Sequence, residues 1–445
     1  MTDIRIALRG GPRSFLPLGY MCFMAIGLIA GLRSPAVAQE KRGGNEIIFS
    51  LEEAVALAIT VSPEIVVAEG AIRVPRAERS EALLPFPTNP LIEYGRIRRQ
   101  SFGSTGFDRE WVVSQEIEVA GWLFRRSAAG ERVRSREELL SDTGRRVGLG
   151  ARLAYLDLAI AEQRADLTES NASFAQSLAD LAARQFEAGE INRLEHNATV
   201  LEAARARALA ERVKADQAAA AAELARILGM GRDATPKTST LPTPPLLAVD
   251  AEDVAFALAV ERRADLSSAR YGVEAADKAY TAAKLSFLPN LTLAVISGNE
   301  ATDDLFGFSI GFSVPLFQRG QSARGVAEAE RAVARAELAE SQRLIQAEVR
   351  TAVERYVRAQ LAERRFATDV LSAAAENVTL TETALREGEV SVTDVIVLRT
   401  AAVNAQLEYV DILGGVTAAW FQLAAAMNVP PETIAGLLDT EVEQE

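Results

Sequence analysis

The chain of 445 residues holds one cysteine and one histidine, Cys22 and His196. Cys22 falls within the first forty residues, inside an apolar run. A zinc site needs several such ligands, so no metal site is expected. Nor is there a disulfide framework or a Cys–His nucleophile pair. Gly148-Leu-Gly150 has no strand before it and is not a dinucleotide loop. No catalytic triad, phosphate loop or working carboxylate pair is visible. The reading is therefore not an enzyme, with no cofactor. His196 reads as a solvated helix residue.

The most distinctive spacing lies in two turns. One is Phe186-Glu-Ala-Gly-Glu-Ile-Asn-Arg-Leu-Glu195 and the other is Leu385-Arg-Glu-Gly-Glu-Val-Ser-Val-Thr-Asp394. Gly189 and Gly388 can supply the left-handed position that ends a helix. Asn192 with Glu195, and Ser391 with Asp394, then have the spacing of capping boxes that start the next one. Aspartate reaches less far than glutamate in that role. This account needs no ligand.

The elements that carry these turns are long. Residues 122–187 and 320–387 contain no proline and are rich in Ala, Leu, Arg and Glu. Each would reach about 100 Å if helical throughout. Helices of that length belong to coiled coils or rods, packed lengthwise. The chain is also written twice. Residues 54–65 and 255–266 share four identities and four similar pairs at an offset of 201, and Gly189 and Gly388 match at an offset of 199. In each half a short helix (near 51–60 and 251–260) precedes a longer one (64–83 and 264–286). Two strand-like segments, a very long helix and a closing helix follow.

The strand segments are expected near 90–98, 110–119, 290–297 and 306–317. Phe306, Phe308, Ile310 and Phe312 alternate with Gly307, Ser309 and Gly311, and Trp111 and Val113 alternate with Glu110 and Val112. One apolar face and one small or polar face over about ten residues is the membrane-barrel strand pattern. A half-buried strand of a soluble sheet has the same period. Residues 99–109 and 297–305 read as hairpin loops. Four strands are too few for a barrel, which needs about eight or more, so several chains would have to share one.

The N-terminus reads as an address. Arg5, Arg9 and Arg13 precede the apolar run Leu18–Leu32, and Ala36-Val37-Ala38 follows as a cleavage signal. The expected boundaries are a signal peptide over 1–38, cleaved after Ala38, a first repeat over 39–230, and a Pro/Thr-rich linker over 231–249. A second repeat over 250–430 and an acidic tail over 431–445 complete the chain. The formal charge of −13 argues against nucleic acid as a partner. No later stretch approaches 18 continuous apolar residues, so no transmembrane helix is expected.

This layout resembles the TolC-like outer membrane efflux proteins. The resemblance covers about 46–430 and rests on several pieces taken in order. They are Ser50-Leu-Glu-Glu-Ala-Val-Ala-Leu-Ala58, Leu84-Pro-Phe-Pro-Thr-Asn-Pro90, Ser114-Gln-Glu-Ile-Glu-Val-Ala-Gly121, Phe312-Ser-Val-Pro-Leu-Phe-Gln-Arg-Gly320 and the two glycine turns. The Asn-Pro and Ser-Gln-Glu-Ile-Glu stretches are most similar to the CzcC-type branch, associated with heavy-metal cation efflux. The resemblance implies a mainly α chain with a membrane β-barrel sector, four strands per chain, and a homotrimer. That trimer has a 12-stranded β-barrel in the outer membrane lipid of a Gram-negative-type cell and a periplasmic α-helical tunnel. It implies a passive channel with two partners, a periplasmic adaptor and an inner-membrane pump of the RND type. It places Gly189, Glu190, Gly388 and Glu389 in adaptor-contacting tips. It places Asp394 in an entrance acid ring, where the second acid of many relatives is replaced here by Val397. Trp111, Phe306, Phe308 and Phe312 become the barrel's outer surface and aromatic girdle. The competing reading from the residues is an exported coiled-coil structural or adhesive protein with a soluble β head. The strand faces separate the two: a lipid-facing barrel leaves the aromatics exposed in the monomer, and a soluble head buries them.

Overall fold

In the computed structural model, residues 46–101, 104–231, 233–246, 252–300, 303–387 and 390–434 are described. The expected signal peptide and its cleavage site lie outside them, as do Gly388, Glu389 and most of the tail. The chain runs β1 (Glu46–Phe49), α1 (Leu51–Val61), α2 (Pro63–Ala82), β2 (Leu91–Ser101), β3 (Ser104–Ile117), α3 (Trp122–Glu187) and α4 (Arg193–Ile227). Then come β4 (Thr235–Thr238), α5 (Glu252–Arg262), α6 (Ala264–Leu285), β5 (Leu291–Glu300), β6 (Asp303–Phe312) and α7 (Gln321–Phe366). A π turn (Ala367–Leu371), α8 (Ser372–Glu387) and α9 (Val392–Met427) close it. The chain is mainly helical, and the order repeats. Elements beginning at 51, 91, 122 and 193 recur at 252, 291, 321 and 392.

Local chemistry sets the boundaries. Ser50 caps α1 and Glu53 closes its box. Ser62 caps α2 with Pro63 at the first helical position, where its missing N–H costs nothing. The 66 residues of α3 are helical without a break, about 100 Å of rise. Its counterpart is not continuous. The expected run over 320–387 is interrupted by the π turn at 367–371. There the Thr368 hydroxyl donates to Arg364 O at 2.9 Å and the Ser372 hydroxyl to Thr368 O. Such side-chain back-bonding competes with the regular ladder.

The four long strands form one antiparallel sheet in the order β2-β3-β5-β6. Pairing extends through most of the expected hairpin loops, to Ser101–Ser104 and Glu300–Asp303. Loop-like composition is overridden there by cross-strand pairing. At the other end β6 stops at Phe312, sooner than expected, because Pro315 lacks a donor for the ladder. The Pro/Thr-rich segment contains a strand that its composition conceals. β4 pairs in parallel with β1, with Ile47 opposite Pro236.

The main apolar core gathers α1, α5 and the middle of α3 with the end of α4, part of α7 and the end of α9. Two tyrosines in it occupy corresponding places in the two repeats. Tyr155 of α3 and Tyr356 of α7 are both fully buried. The Tyr155 hydroxyl lies 3.2 Å from Phe49 O and accepts from Ser239 N–H at 3.1 Å. The Tyr356 hydroxyl donates to Pro245 O, which also accepts from Gln360 Nε2 at 2.6 Å. Each phenol fastens the segment leading into its repeat's short helix. Arg263, at the start of α6, is the buried cation of this region. It pairs with Asp265 and Glu348 at 2.6 Å each and donates to Ala426 O at 3.2 Å. Burial opposes its charge, but the two carboxylates outweigh burial and hold it protonated.

Candidate functional site: the strand face and the helical tip

The sheet's register sorts its side chains into two faces, because residues opposite one another point the same way. One row reads Tyr94, Trp111, Ser297, Phe306, and the next reads Ile92, Val113, Val295, Phe308. Ile310 and Phe312 continue that face along β6. On the opposite face lie Gly95, Ser114, Thr292, Ala294, Gly307 and Ser309, interspersed with Leu91, Ile97, Val112, Ile296 and Leu305 and with Glu93, Glu110 and Glu116. Among the described residues, no layer covers the apolar face. Trp111 is 52% exposed, Phe306 81%, Phe308 82% and Phe312 66%. Tyr94 packs on Trp111 with ring centroids 4.7 Å apart. Its segment was a weak strand signal because Gly95 and several arginines interrupt the alternation. A soluble head would cover these rings, and the sheet leaves them open.

The opposite face carries a charged cluster near the hairpin ends that local sequence does not announce. Arg99 pairs with Asp108 at 2.9 Å and with Glu300. The partners come from three strands, so only the register brings them together.

At the far end of α3 the expected turn is present. Gly189 has φ of +78°. Its N–H donates to Phe186 O at 3.0 Å, and Glu190 N–H donates to Gln185 O at 2.8 Å. That pair is the Schellman closure. Asn192 Oδ1 then accepts from Leu194 N–H and Glu195 N–H at 2.8 and 3.0 Å, while Glu195 Oε2 accepts from Asn192 N–H at 3.1 Å. His196 is not simply solvated. It stacks on Phe186 across the turn at 5.1 Å.

The second turn starts α9 in the same way. Asp394 N–H donates to Ser391 Oγ at 3.2 Å, and Asp394 Oδ2 accepts from Ser391 N–H at 3.1 Å and from its hydroxyl at 2.7 Å. The shorter aspartate closes the box after all. The Ser391 hydroxyl, then its backbone N–H, hold the Asp394 carboxyl below its ordinary pKa. Asp394 is exposed, and Val397, one turn on, is 61% exposed. The two tips pack together inside one chain. Val395 is buried against Leu178 of α3 with Phe174 and Ile396 around them. The Arg399 guanidinium sits 4.7 Å over the Phe174 ring, and Thr400 Oγ1 donates to Glu202 at 3.2 Å.

Among the described residues, no group of three or more His, Cys, Asp or Glu side chains is placed to hold a metal ion. One helical stretch, Thr393–Met427 in α9, is long and apolar enough to cross a membrane, and most of its apolar window is buried. It serves the core, and Glu408 and Asp411 break its apolar run in the sequence.

Residues 256–429 match the family model described as outer membrane efflux protein. The fold is that of solved outer membrane channels. A membrane protein from Pseudomonas aeruginosa superposes with a TM-score of 0.71 at 19% identity, over 85% of this chain and 92% of that one. The outer membrane channel CmeC of Campylobacter jejuni gives 0.69 at 12% identity, over 88% and 90%. The outer membrane protein VceC of Vibrio cholerae gives 0.69 at 16% identity, over 85% and 96%. No curated protein matches the sequence. The resemblance to TolC-like outer membrane efflux proteins therefore holds, in sequence over the second repeat and in fold over most of the chain.

Proposed function

We propose that the chain is the outer membrane subunit of a tripartite efflux system, a passive conduit rather than an enzyme. Three copies would close a 12-stranded barrel, and their helices would form the periplasmic tunnel. The observation that carries this reading is the sheet itself. It has four strands and, among the described residues, two open edges and an apolar face that nothing covers. A sheet with free edges and an uncovered apolar face needs lipid outside and other copies at its edges. The hairpin ends would then face the exterior.

The helical tips would form the entrance that receives a periplasmic adaptor, with an inner-membrane pump of the RND type behind it. Gly189 and Glu190, with Gly388 and Glu389, are the tip residues proposed for adaptor contact. Asp394 is proposed as a single acidic ring around the axis. Its Ser391 hydrogen bonds favour the ionised form, which supports attraction of cations and agrees with a CzcC-type, heavy-metal cargo. The test is the mass of the detergent-extracted protein taken from a separated outer-membrane fraction. A trimer is expected. A soluble periplasmic monomer or dimer would remove the barrel and return the coiled-coil alternative.

A further inference from the structure

Beyond the aromatic row, the apolar face of the sheet ends in arginines. Arg96 and Arg109 are directly opposite each other, two residues past Tyr94 and Trp111 towards the hairpin end. That is about 7 Å farther along the strands. Arg98 follows on the same face, opposite Phe107. All three arginines are exposed, and the Arg96 guanidinium lies 4.1 Å over the Phe107 ring. Arg99, on the other face, is neutralised by Asp108 and Glu300. Among the described residues Arg96, Arg98 and Arg109 form no ion pair with a carboxylate. The row that holds Arg96 and Arg109 continues through Asn299 to Asp304, the acid of this face, on the far edge strand.

The order along this face is therefore apolar, aromatic, then cationic. That is the order of a bilayer read from its hydrocarbon to its headgroups. The chain as a whole is acidic at −13, so general attraction to anions does not account for three guanidinium groups together. Guanidinium groups bind phosphate oxygens in a bidentate fork. We infer that Arg96, Arg98 and Arg109 form a site for a phosphate-bearing lipid headgroup in the outer leaflet around the barrel. Tyr94 and Trp111 seat the headgroup's boundary with the acyl chains, and Phe107 packs under the Arg96 guanidinium on the headgroup side. The inference rests on the outer membrane reading, since only a lipid-facing sheet presents this row to a bilayer.

The test uses the full-length, detergent-extracted protein. Binding of bis-phosphorylated lipid A and of dephosphorylated lipid A is measured for the wild type and for the Arg96→Gln, Arg98→Gln, Arg109→Gln variant. The variant is expected to bind the phosphorylated lipid roughly a hundred-fold more weakly. The dephosphorylated lipid should bind both proteins alike, and the corresponding triple Lys variant, which keeps the charge but loses the fork, should fall between the wild type and the Gln variant. Inorganic phosphate at millimolar concentration should compete poorly. Strong competition would make this a free-anion site and overturn the lipid assignment. Equal binding by wild type and Gln variant overturns the proposal outright. So does a Gln variant whose trimer dissociates at lower temperature in lipid-free detergent when Asp304→Asn has the same effect, since the arginines would then brace the neighbouring copy. If the triple variant does not reach the membrane, Arg98→Gln alone should weaken binding roughly five-fold, and no change would refute the site. A wild type recovered as a soluble monomer would instead fail the outer membrane reading itself.

Discussion

Placing a charge on one face of β6 and then on the other distinguishes a lipid-facing sheet from a soluble one. Phe308 and Ser309 are neighbours, so strand propensity and position along the chain are nearly matched. Their side chains point to opposite faces. Phe308 is 82% exposed and shares its row with Ile92, Val113 and Val295. That row lies within the apolar band, between Phe306 and Phe312. Phe308→Arg should therefore cost about 2–4 kcal/mol per chain, the range for a cation on the lipid face near mid-bilayer. A trimer carries the substitution three times. Ser309→Arg places the same group on the opposite face, beside Ala294 and Ser114, where a water-filled lumen would tolerate it. The assay is the amount of folded trimer in the outer-membrane fraction, followed by refolding of each variant into lipid vesicles. Phe308→Arg should lower the folded fraction by about thirty-fold or more, and Ser309→Arg should change it only slightly. In a soluble head an 82% exposed Phe could become Arg without loss. Equal recovery of the two variants would refute the membrane assignment of this face.

Gly320 and Gly189 both have positive φ, at +70° and +78°, but their surroundings differ. A Cβ at Gly320 would sit 2.0 Å from Ser286 Oγ, whereas one at Gly189 would meet nothing within 4 Å. Gly189→Ala should cost about 1–2 kcal/mol from backbone strain alone. Gly320→Ala should cost more, and Ser286→Ala should recover part of the difference in thermal dissociation of the trimer. Tyr155→Phe should destabilise by about 0.5–1.5 kcal/mol: Thr240 O loses its hydroxyl donor, while Ser239 N–H still donates to Phe49 O at 3.0 Å. Tyr356→Phe should cost a similar amount, since Gln360 likewise still donates to Pro245 O. Asp394→Asn should weaken block of the channel by divalent cations. With Asp394 held below its ordinary pKa, the wild-type block should persist as pH falls through the usual carboxylate range and fade only below it. Single-channel recordings across pH would show this, and an unchanged block in Asp394→Asn would remove the acid ring.

What could be read from the sequence depended on how local the cause was. Long Ala-rich runs without proline specify helices by propensity and length. The alternation in 306–312 specifies a strand by period alone. The capping boxes at 192–195 and 391–394 are complete within four residues each, so their spacing sufficed. Other features depend on partners far along the chain. β1 and β4 exist because 46–49 meets 235–238. Nothing within Thr-Pro-Lys-Thr indicates a strand. The hairpin ends look like loops until their partners are known. Arg99 finds its carboxylates across three strands, and Gly320 is required by Ser286 from the preceding helix–strand junction. The tyrosines are single residues in helices, and only their shared offset of 201 and their contacts with segments outside the helix reveal their role.

The same division between local and distant causes bears on assembly. Each long helix can form from its own sequence, and the core around Tyr155 and Tyr356 is complete within the chain. The sheet is not complete in that sense. Its outer strands, β2 and β6, each leave one edge without a partner among the described residues. Unpaired edges invite further strands, and the apolar face is stable only where water is excluded. On the proposed function, other copies meet the first requirement and lipid meets the second. Two copies would supply eight strands and three would supply twelve. The aromatic residues lie on one face, and the other mixes Gly, Ser, Ala and Thr with Leu91, Ile97, Val112, Ile296 and Leu305 and with charged residues such as Glu93, Glu110 and Arg99. On the proposed closure that mixed face turns inward. The stability of the sheet is then a property of the inserted oligomer. It should depend on protein concentration and on lipid, while the helical core should retain its structure in the isolated chain.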